Sequence, residues 1–219
     1  MMIHPDFQVA MARERTAMLT ASAAARRQGR ELRQARRLRL AAMTPAVAGQ
    51  VVLRDGSAVL IRPVRSTDAP LLTDGFARLS ERSRRQRFLG RKNTLTEADL
   101  RYFTDVDHHD HEALGAVDHV RGGGVGIARY VRDREDRHAA EIAVTIVDDW
   151  QGRGLATELL AQLSDRACQE GIRRFTAVVA ADNAAANGLL RNSGASLIHR
   201  GRGIVEYELD LTCVRAQAS

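Results

Sequence analysis

The chain has 219 residues, a hydrophobic fraction of 44% and a formal net charge of +6, which fits one or two domains with a proper core. No run approaches the roughly 18 apolar residues of a membrane helix, and the polar residues 1–6 contain no signal core. Cys168 and Cys213 are the two cysteines; they provide neither a disulfide framework nor metal-ligand spacing. We therefore expect a cytoplasmic protein, with Cys168 as a small packed hydrophobe.

The positive charge lies in residues 1–49, which we interpret as a basic helical tail and linker. This segment has nine arginines and three acidic residues, which accounts for the whole net charge of +6. Its Ala- and Arg-rich composition favours helix, with a break at Gly29. One interpretation is contact with nucleic acid, an anionic membrane or another acidic partner. The other is a solvated or loosely packed helix, and no aromatic residue interleaves the arginines at 26–39 to support single-strand stacking.

Residues 50–210 are predicted to form one α/β domain, followed by a C-terminal tail at 211–219. Alternating β-branched residues and glycine turns predict strands at 51–54, 58–62, 113–120, 125–132, 141–146, 175–180, 196–199 and 204–209. Capping residues and apolar stripes predict helices at about 67–79, 80–89, 94–103, 155–167 and 182–191.

The most informative stretch is the strand, turn and helix at 141–167. Ile142, Val144 and Ile146 alternate with smaller or polar residues, which is the period of a strand. The turn Gln151-Gly-Arg-Gly154 follows, and then one helix face collects apolar residues: Leu155, Leu159, Leu160, Leu163 and Ala167. Glycines at a helix N-terminus let backbone N–H groups approach an anion, and Arg153 can add charge-assisted bonds. The pattern therefore predicts an anion-binding loop.

Several classes of phosphate-containing ligand bind loops of this general kind. The ATP-type loop requires Gly-Lys-Ser/Thr, and no lysine is present here. The dinucleotide fingerprint has Thr157 at its third glycine and lacks an opening βαβ unit. The order Gln-Gly-Arg-Gly-Leu-Ala resembles the pyrophosphate loop of the GNAT family of acyl-CoA-dependent acetyltransferases, with Gln151, Gly154 and Ala156 at the matching positions. A plain glycine turn that joins strand to helix is the alternative.

A second segment supports the same resemblance. Asp182-Asn183-Ala-Ala-Ala186, followed by Leu189 and Gly194, is similar to that family's Asn-x-x-Ala-x-x-Leu-Tyr-x-x-x-Gly-Phe segment. Leu190 replaces the tyrosine that often protonates the leaving thiolate, and Ala195 replaces the phenylalanine. The resemblance implies a GNAT-type mixed, mostly antiparallel sheet of about seven strands flanked by helices. It implies acetyl-CoA as co-substrate, bound by Val144, Ile146, Val147, Gln151, Gly152, Arg153, Gly154, Leu155, Ala156, Thr157 and Asn183.

A closer resemblance points to the acceptor. Phe76-Ala-Arg-Leu-Ser80, Ser83-Arg84, Arg87-Phe88 and the stretch 140–151 look like the acetyltransferase domain of bacterial protein-lysine acetyltransferases. In that group a glutamate on the central strand serves as general base, and Glu141 matches it. A carboxylate beside the thioester can take the amine proton if burial raises its pKa. The alternative for Glu141 is an edge carboxylate in a salt bridge, perhaps with Arg129.

Two further clusters have plain alternatives. Asp107-His-His-Asp-His-Glu112 contains metal-ligand residue types, but consecutive residues point in different directions, so we favour a solvated turn and expect no metal. Arg82, Arg84, Arg85 and Arg87 either contact an acidic ligand such as the CoA 3′-phosphate or form a solvated helix face.

The sequence thus predicts an acetyl-CoA-dependent N-acetyltransferase acting on a protein lysine. The alternatives are a small-molecule amine acetyltransferase and a non-catalytic acyl-CoA-binding regulator.

Overall fold

The computed structural model describes residues 49–213, which form one eight-stranded sheet and five α-helices. The strands are β1 (Gly49–Val52), β2 (Ala58–Pro63), β3 (His111–Asp118), β4 (Gly124–Arg132), β5 (Ala139–Ile146), β6 (Arg174–Ala180), β7 (Ser196–Gly201) and β8 (Ile204–Asp210). The helices are α1 (Ala69–Ala77), α2 (Glu81–Phe88), α3 (Glu97–Thr104), α4 (Leu155–Gln169) and α5 (Ala184–Asn192).

The sheet is mixed and mostly antiparallel, as predicted. Its strand order is β1-β2-β3-β4-β5-β6-β8-β7. Every neighbouring pair is antiparallel except β5 and β6, which are parallel. All eight strands predicted in chain order are present, one more than the approximate seven that the resemblance implied, because both terminal hairpins, β1–β2 and β7–β8, join the same sheet.

The two faces of the sheet are covered by different helices. Alternate residues of a strand point to opposite faces. Ile142 of β5 is buried in the main core with Leu159 of α4, and Val144 and Ile146 pack against that core. On the other face Ala113 belongs to a smaller apolar cluster, and α1–α3 lie over the odd-numbered residues of β5. Even-numbered and odd-numbered residues of β5 therefore face different surroundings.

Helix α4 follows the predicted apolar stripe. Its buried residues are Leu155, Leu159, Leu160, Leu163 and Ala167. Because burial of one leucine side chain contributes about 1.5–3 kcal/mol, this stripe holds the helix on the sheet. Gly154 precedes the helix with φ +91° and Gly171 follows it with φ +82°, backbone conformations that glycine adopts without steric cost.

A disulfide joins Cys168, near the end of α4, to Cys213, just after β8. The expectation that these two cysteines form no disulfide is wrong. They lie 45 residues apart, but β8 pairs with β6 so that Asp210 lies beside Arg174. That pairing returns the chain to the end of α4 and leaves the two Cα atoms 5.4 Å apart, within disulfide reach.

The predicted tail at 1–49 lies outside the described residues except for Gly49, and so does most of the C-terminal tail at 211–219. The interpretation of the basic tail, including any nucleic-acid contact, therefore stays a prediction. Within residues 49–213, no helix has the length and hydropathy needed to cross a membrane.

Candidate active site

Strands β5 and β6 are paired over three residues only. Their parallel register joins Ala139 to Arg174 and ends at Glu141 and Thr176. Beyond this point β5 remains paired with β4 as far as Ile146, and β6 remains paired with β8 as far as Ala180. The facing edges of residues 142–146 and 177–180 are thus unpaired with each other. We call this gap in the sheet the β5–β6 cleft.

The backbone of β5 presents every second residue to the cleft. The Val147 N–H donates to the Val125 carbonyl at 3.0 Å. Bonds to one neighbour recur at every second residue of an antiparallel strand. Residues 143 and 145 therefore bond β4, while Ile142, Val144 and Ile146 direct their N–H and C=O groups into the cleft. The Gln151 side chain agrees, because its Nε2 donates to the Ile146 carbonyl at 3.2 Å.

The alternation distinguishes the three strand residues that were predicted to bind the cofactor. Val144 and Ile146 lie at the cleft with their backbone groups facing it. Val147 differs, because its N–H is already bonded to the Val125 carbonyl of β4, so a bond from this N–H to a ligand is not available, and the prediction that Val147 contacts the cofactor stays a prediction.

The loop after β5 ends in a helix N-terminus without a side-chain cap. Gly152 and Gly154 have positive φ angles of +76° and +91°, and Gly154 is the N-cap. The Glu158 N–H bonds the Gly154 carbonyl at 3.2 Å. The preceding N–H groups, those of Leu155, Ala156 and Thr157, have no acceptor inside the helix. N–H groups at a helix N-terminus favour an anion, so the predicted anion-binding loop has suitable donors here.

The Arg153 side chain makes bonds within the protein beside this site. Its guanidinium bonds Asp55 at 2.9 Å and the Asp149 carbonyl at 2.6 Å, and it stacks 4.7 Å from the Trp150 ring. Its side chain therefore holds the loop to the β1–β2 hairpin, and the predicted bond from Arg153 to a ligand stays a prediction.

Arg54 is a cation near the loop that the sequence reasoning missed. A Cβ built on Gly154 would lie 3.3 Å from the Arg54 Nε, so this exposed guanidinium stands beside the start of α4. Arg54 is about one hundred residues away in sequence, and the bond from its backbone N–H to the Arg153 carbonyl, at 3.3 Å, together with the Arg153–Asp55 pair brings it here. No local pattern in the sequence signals that contact.

Glu141 lies at the inner end of the cleft, on the face covered by α1–α3. Strand registers place it in a cross-strand row with Val131, Thr176 and Glu208. Its side chain is exposed, so the burial that the sequence argument required is not present in the free chain. Arg129, the suggested salt-bridge partner, stacks on the rings of α3 at 4.6 and 4.7 Å.

Asn183 caps helix α5 on the cleft side of β6. Its Oδ1 accepts the Ala186 N–H at 3.0 Å, so the oxygen is already used. Asn187, buried and overlooked in the sequence, donates to the Ala180 and Asn183 carbonyls and accepts the Tyr207 hydroxyl at 2.9 Å. These bonds fix α5 to β6 and β8, and they hold Asn183 at the edge of the cleft.

The arginines of α2 have protein partners. Arg82 donates to the Asp182 carbonyl at 3.4 Å, and Arg85 pairs with the Asp182 carboxylate at 3.7 Å. Arg84 stacks on Phe76, and Arg87 stacks on the adjacent Phe88. Since Asp182 directly follows β6 in the chain, α2 is fastened to the loop between β6 and α5. The arrangement does not show a free basic face aimed at a ligand.

The histidine-rich stretch 107–112 is a bonded turn. Asp107 accepts three backbone N–H groups, and His108 contacts the fully buried Glu112 at 2.7 Å. Glu112 also accepts Arg166 at 3.2 Å, and Asp110 accepts Arg137 at 2.6 Å. Among the described residues no group of His, Cys, Asp and Glu side chains has the arrangement of a metal site.

Comparison with known proteins gives the family. The family model for the acetyltransferase (GNAT) domain matches residues 58–196. Acetyltransferase Pat of Mycolicibacterium smegmatis is 33% identical over 175 residues, which cover 80% of this chain and 52% of that protein. Acetyltransferase PA5475 of Pseudomonas aeruginosa is 39% identical over 135 residues, covering 61% of this chain and 72% of that protein. The chain thus spans about half the length of Pat.

A solved structure agrees with these relatives. The GNAT domain of S. lividans PAT superposes with a TM-score of 0.70 at 31% identity, covering 74% of this chain and 96% of that one. The family match extends from β2 to the start of β7 and includes the β5–β6 cleft and the loop before α4. Because this match covers more than half of the sequence and the fold agrees with it, the chain belongs to the GNAT family of acetyltransferases.

Proposed function

We propose that this chain is an acetyl-CoA-dependent N-acetyltransferase that transfers an acetyl group to a primary amine, with a protein lysine as acceptor. The observation that carries the proposal is the β5–β6 cleft, whose open backbone groups lead to the uncapped N-terminus of α4. A long ligand with an anionic end and an amide-containing arm matches this arrangement, and acetyl-CoA is such a ligand.

Acetyl-CoA binds mainly through the backbone in this proposal. Its pyrophosphate accepts the N–H groups of Leu155, Ala156 and Thr157, since a helix N-terminus favours negative charge. Arg54 adds a positive charge beside them. The amides of the pantetheine arm pair with the cleft-facing groups of Val144 and Ile146, in place of the strand partner that β6 does not provide there.

The chemistry requires a base near the inner end of the cleft. The amine nitrogen attacks the thioester carbonyl, the C–S bond breaks, and the new C–N bond leaves an amide and a CoA thiolate. Glu141, directly or through one water, takes the proton that the nitrogen loses. The thiolate then takes up a proton and leaves as the free thiol; with an ordinary thiol pKa near 8.5 it leaves without the tyrosine that Leu190 replaces.

The surroundings of Glu141 support a cationic acceptor. Glu208 lies in the same cross-strand row, where its carboxylate also pairs with Arg174 at 3.2 Å, and Glu206 is two residues away on the same strand and therefore on the same face. Carboxylates on one face attract an ammonium group. The β7–β8 hairpin beside them also presents Leu197 and Ile198, with 51% and 55% of their surface exposed. This mixture of acidic and apolar surface suits a lysine on a polypeptide better than a small hydrophilic amine.

The direct test is release of free CoA thiol from acetyl-CoA in the presence of lysine-containing peptides and small primary amines. The wild-type chain is expected to turn over with the peptides. Glu141→Gln keeps the side-chain shape but accepts no proton, so turnover should fall by roughly 10²–10⁴ while acetyl-CoA affinity changes little. Raising the pH, which deprotonates the amine in solution, should partly restore the mutant.

Glu97→Gln is the matched control, because Glu97 is an exposed carboxylate on α3, 91% exposed at its side chain. It should keep wild-type turnover. Near-wild-type turnover of Glu141→Gln at neutral pH would place the base elsewhere. A wild-type chain that binds acetyl-CoA but transfers to no amine would instead favour a binding protein without activity.

A further inference from the structure

A cavity of about 100 Å³ lies between helices α1–α3 and the odd-numbered side of β5. Most of its walls are aromatic and aliphatic side chains, among them Leu71, Leu72, Phe76, Phe88, Phe103 and Ile127. A space with such walls offers water few hydrogen-bond partners and accepts apolar groups. The acetyl transfer described above does not require a space of this size.

The cavity adjoins the strand that borders the β5–β6 cleft. Ala143 and Thr145 of β5, and Val147 just after it, line the cavity, whereas Ile142, Val144 and Ile146 present backbone groups to the cleft. In the proposed complex the cavity therefore begins beside the thioester. On the α4 face an acyl tail would meet the buried Ile142 and the packed Val144 and Ile146. On the other face it meets the small side chain of Ala143 and then the cavity.

Charge excludes the acceptor amine as the occupant of this cavity. Arg62, Arg87 and Arg129 line it, and the one acidic residue among its lining residues, Asp68, is bound by Arg62 at 2.6 and 2.8 Å. An ammonium group would lose its water there and meet cations instead of a free carboxylate. Glu141 is two residues from Ala143 on the strand and does not line the cavity, so acceptor and cavity lie at different points along β5.

We propose that this cavity is an acyl-chain site, and that the chain uses acyl-CoA thioesters with short linear apolar chains in addition to acetyl-CoA. The inference rests on the proposed acyl transfer and specifies its donor. A cavity of about 150 Å³ accepts a six-carbon ring, so this space holds roughly four carbon atoms beyond the acetyl group, which is the length of a hexanoyl chain. The reaction is unchanged: the amine nitrogen replaces sulfur on the acyl carbonyl, and CoA leaves as the thiol.

The test measures the affinity of the full chain for acetyl-, butanoyl-, hexanoyl- and decanoyl-CoA by calorimetry, which needs no acceptor. Each buried methylene should tighten binding by up to about fourfold. Hexanoyl-CoA is therefore expected to bind at least about tenfold more tightly than acetyl-CoA, with no further gain for decanoyl-CoA, whose chain exceeds the space.

Leu72 of α1 offers a matched pair of variants, since it lines the cavity and lies away from the cleft backbone. Leu72→Trp fills the space and should remove the hexanoyl advantage, while the acetyl-CoA affinity stays within about twofold of wild type. Leu72→Ala enlarges the space and should move the preferred chain toward decanoyl-CoA. The acetyl-CoA affinity of each variant reports that the cleft is intact.

Wild-type affinities within twofold across the four thioesters overturn the inference, and so does a Leu72→Trp variant that keeps the hexanoyl advantage. If Leu72→Trp does not fold, the chain-length shift in Leu72→Ala decides. Binding of acetyl-CoA without a chain-length effect overturns the acyl-chain site alone. Failure to bind any of the four thioesters overturns the proposed function together with it.

Discussion

Two stretches rich in polar groups lie at the two ends of helix α4: the loop 151–157 at its N-terminal end and the turn 107–112 near its C-terminal end. The two differ in whether their hydrogen-bonding groups already have partners within the protein. At the N-terminal end, Gly154 provides no side-chain cap, and the N–H groups of residues 155–157 remain without helical acceptors. At the C-terminal end, Arg132 donates to the Glu170 carbonyl at 2.8 Å, and Arg166 pairs with the buried Glu112 at 3.2 Å. The helix is about 22 Å long, so the two ends are separate sites.

The difference shows why residue type alone does not identify a binding site. The stretch 107–112 has more ligand-type side chains, but the turn, the helix end and the neighbouring strand use them for bonds within the protein. The loop 151–157 has almost none, and it leaves backbone donors at a helix end where an anion is favoured. A site is predicted better by the bonds that remain unmade than by the groups that are present.

Removing a charge from the hydrogen-bonded cluster at the C-terminal end of α4 should have the largest effect on stability. Glu112→Gln leaves the shape of a fully buried side chain but removes the charge that His108 and Arg166 contact. Loss of one partner in a buried ion pair costs about 3–5 kcal/mol. Chemical denaturation should show this loss, while acetyl-CoA affinity of the folded protein stays unchanged. Glu97→Gln on the surface is the control, and a comparable loss there would contradict the assignment.

His111, in the same cluster near the C-terminal end of α4, should also make stability depend on pH. Burial, together with the positive charges of Arg129 and His108, lowers the pKa of His111 from its ordinary value of 6.5 to about 3. Between these values the unfolded chain binds a proton that the folded chain does not. Stability should therefore fall as the pH drops below about 6.5, by up to about 1.4 kcal/mol per pH unit, and this contribution levels off near pH 3.

Paired variants isolate this contribution. His111→Gln removes the buried imidazole and should flatten the fall in unfolding free energy between pH 6.5 and 5. His119→Gln replaces an exposed imidazole and should leave the slope as it is in wild type. Equal slopes in wild type and His111→Gln would show that His111 does not carry the acid sensitivity.

A negative charge added at the N-terminal end of α4 should raise stability and weaken acetyl-CoA binding. Thr157 is exposed in the first turn of α4, where a carboxylate complements the helix dipole by about 0.3–1 kcal/mol. Thr157→Asp should therefore raise the melting temperature slightly, yet weaken acetyl-CoA binding about tenfold through repulsion of the pyrophosphate. Thr157→Asn is the neutral control, and the difference in affinity between the two should shrink in high salt. Equal acetyl-CoA affinities of the two variants would show that the pyrophosphate does not bind at this helix end.

Much of the fold could be predicted because its signals are local. The alternation around Ile142 predicted β5, and the 3.6-residue stripe from Leu155 to Ala167 predicted α4 with its buried face. The turn glycines Gly56, Gly154 and Gly171 adopt positive φ angles, which glycine reaches without steric cost. These features depend on the backbone and on side chains a few residues apart, so they are readable before any packing is known.

The site depended more on contacts between distant segments. The sequence selected Glu141, and the tertiary structure decided its face and its exposure through the register of β5 with β4 and β6. It also committed Arg153 to Asp55 and brought Cys168 to Cys213. Local periodicity fixes which residues form a strand or a helix. Which side chains then meet depends on register and packing across the whole sheet, and no short stretch of sequence encodes that.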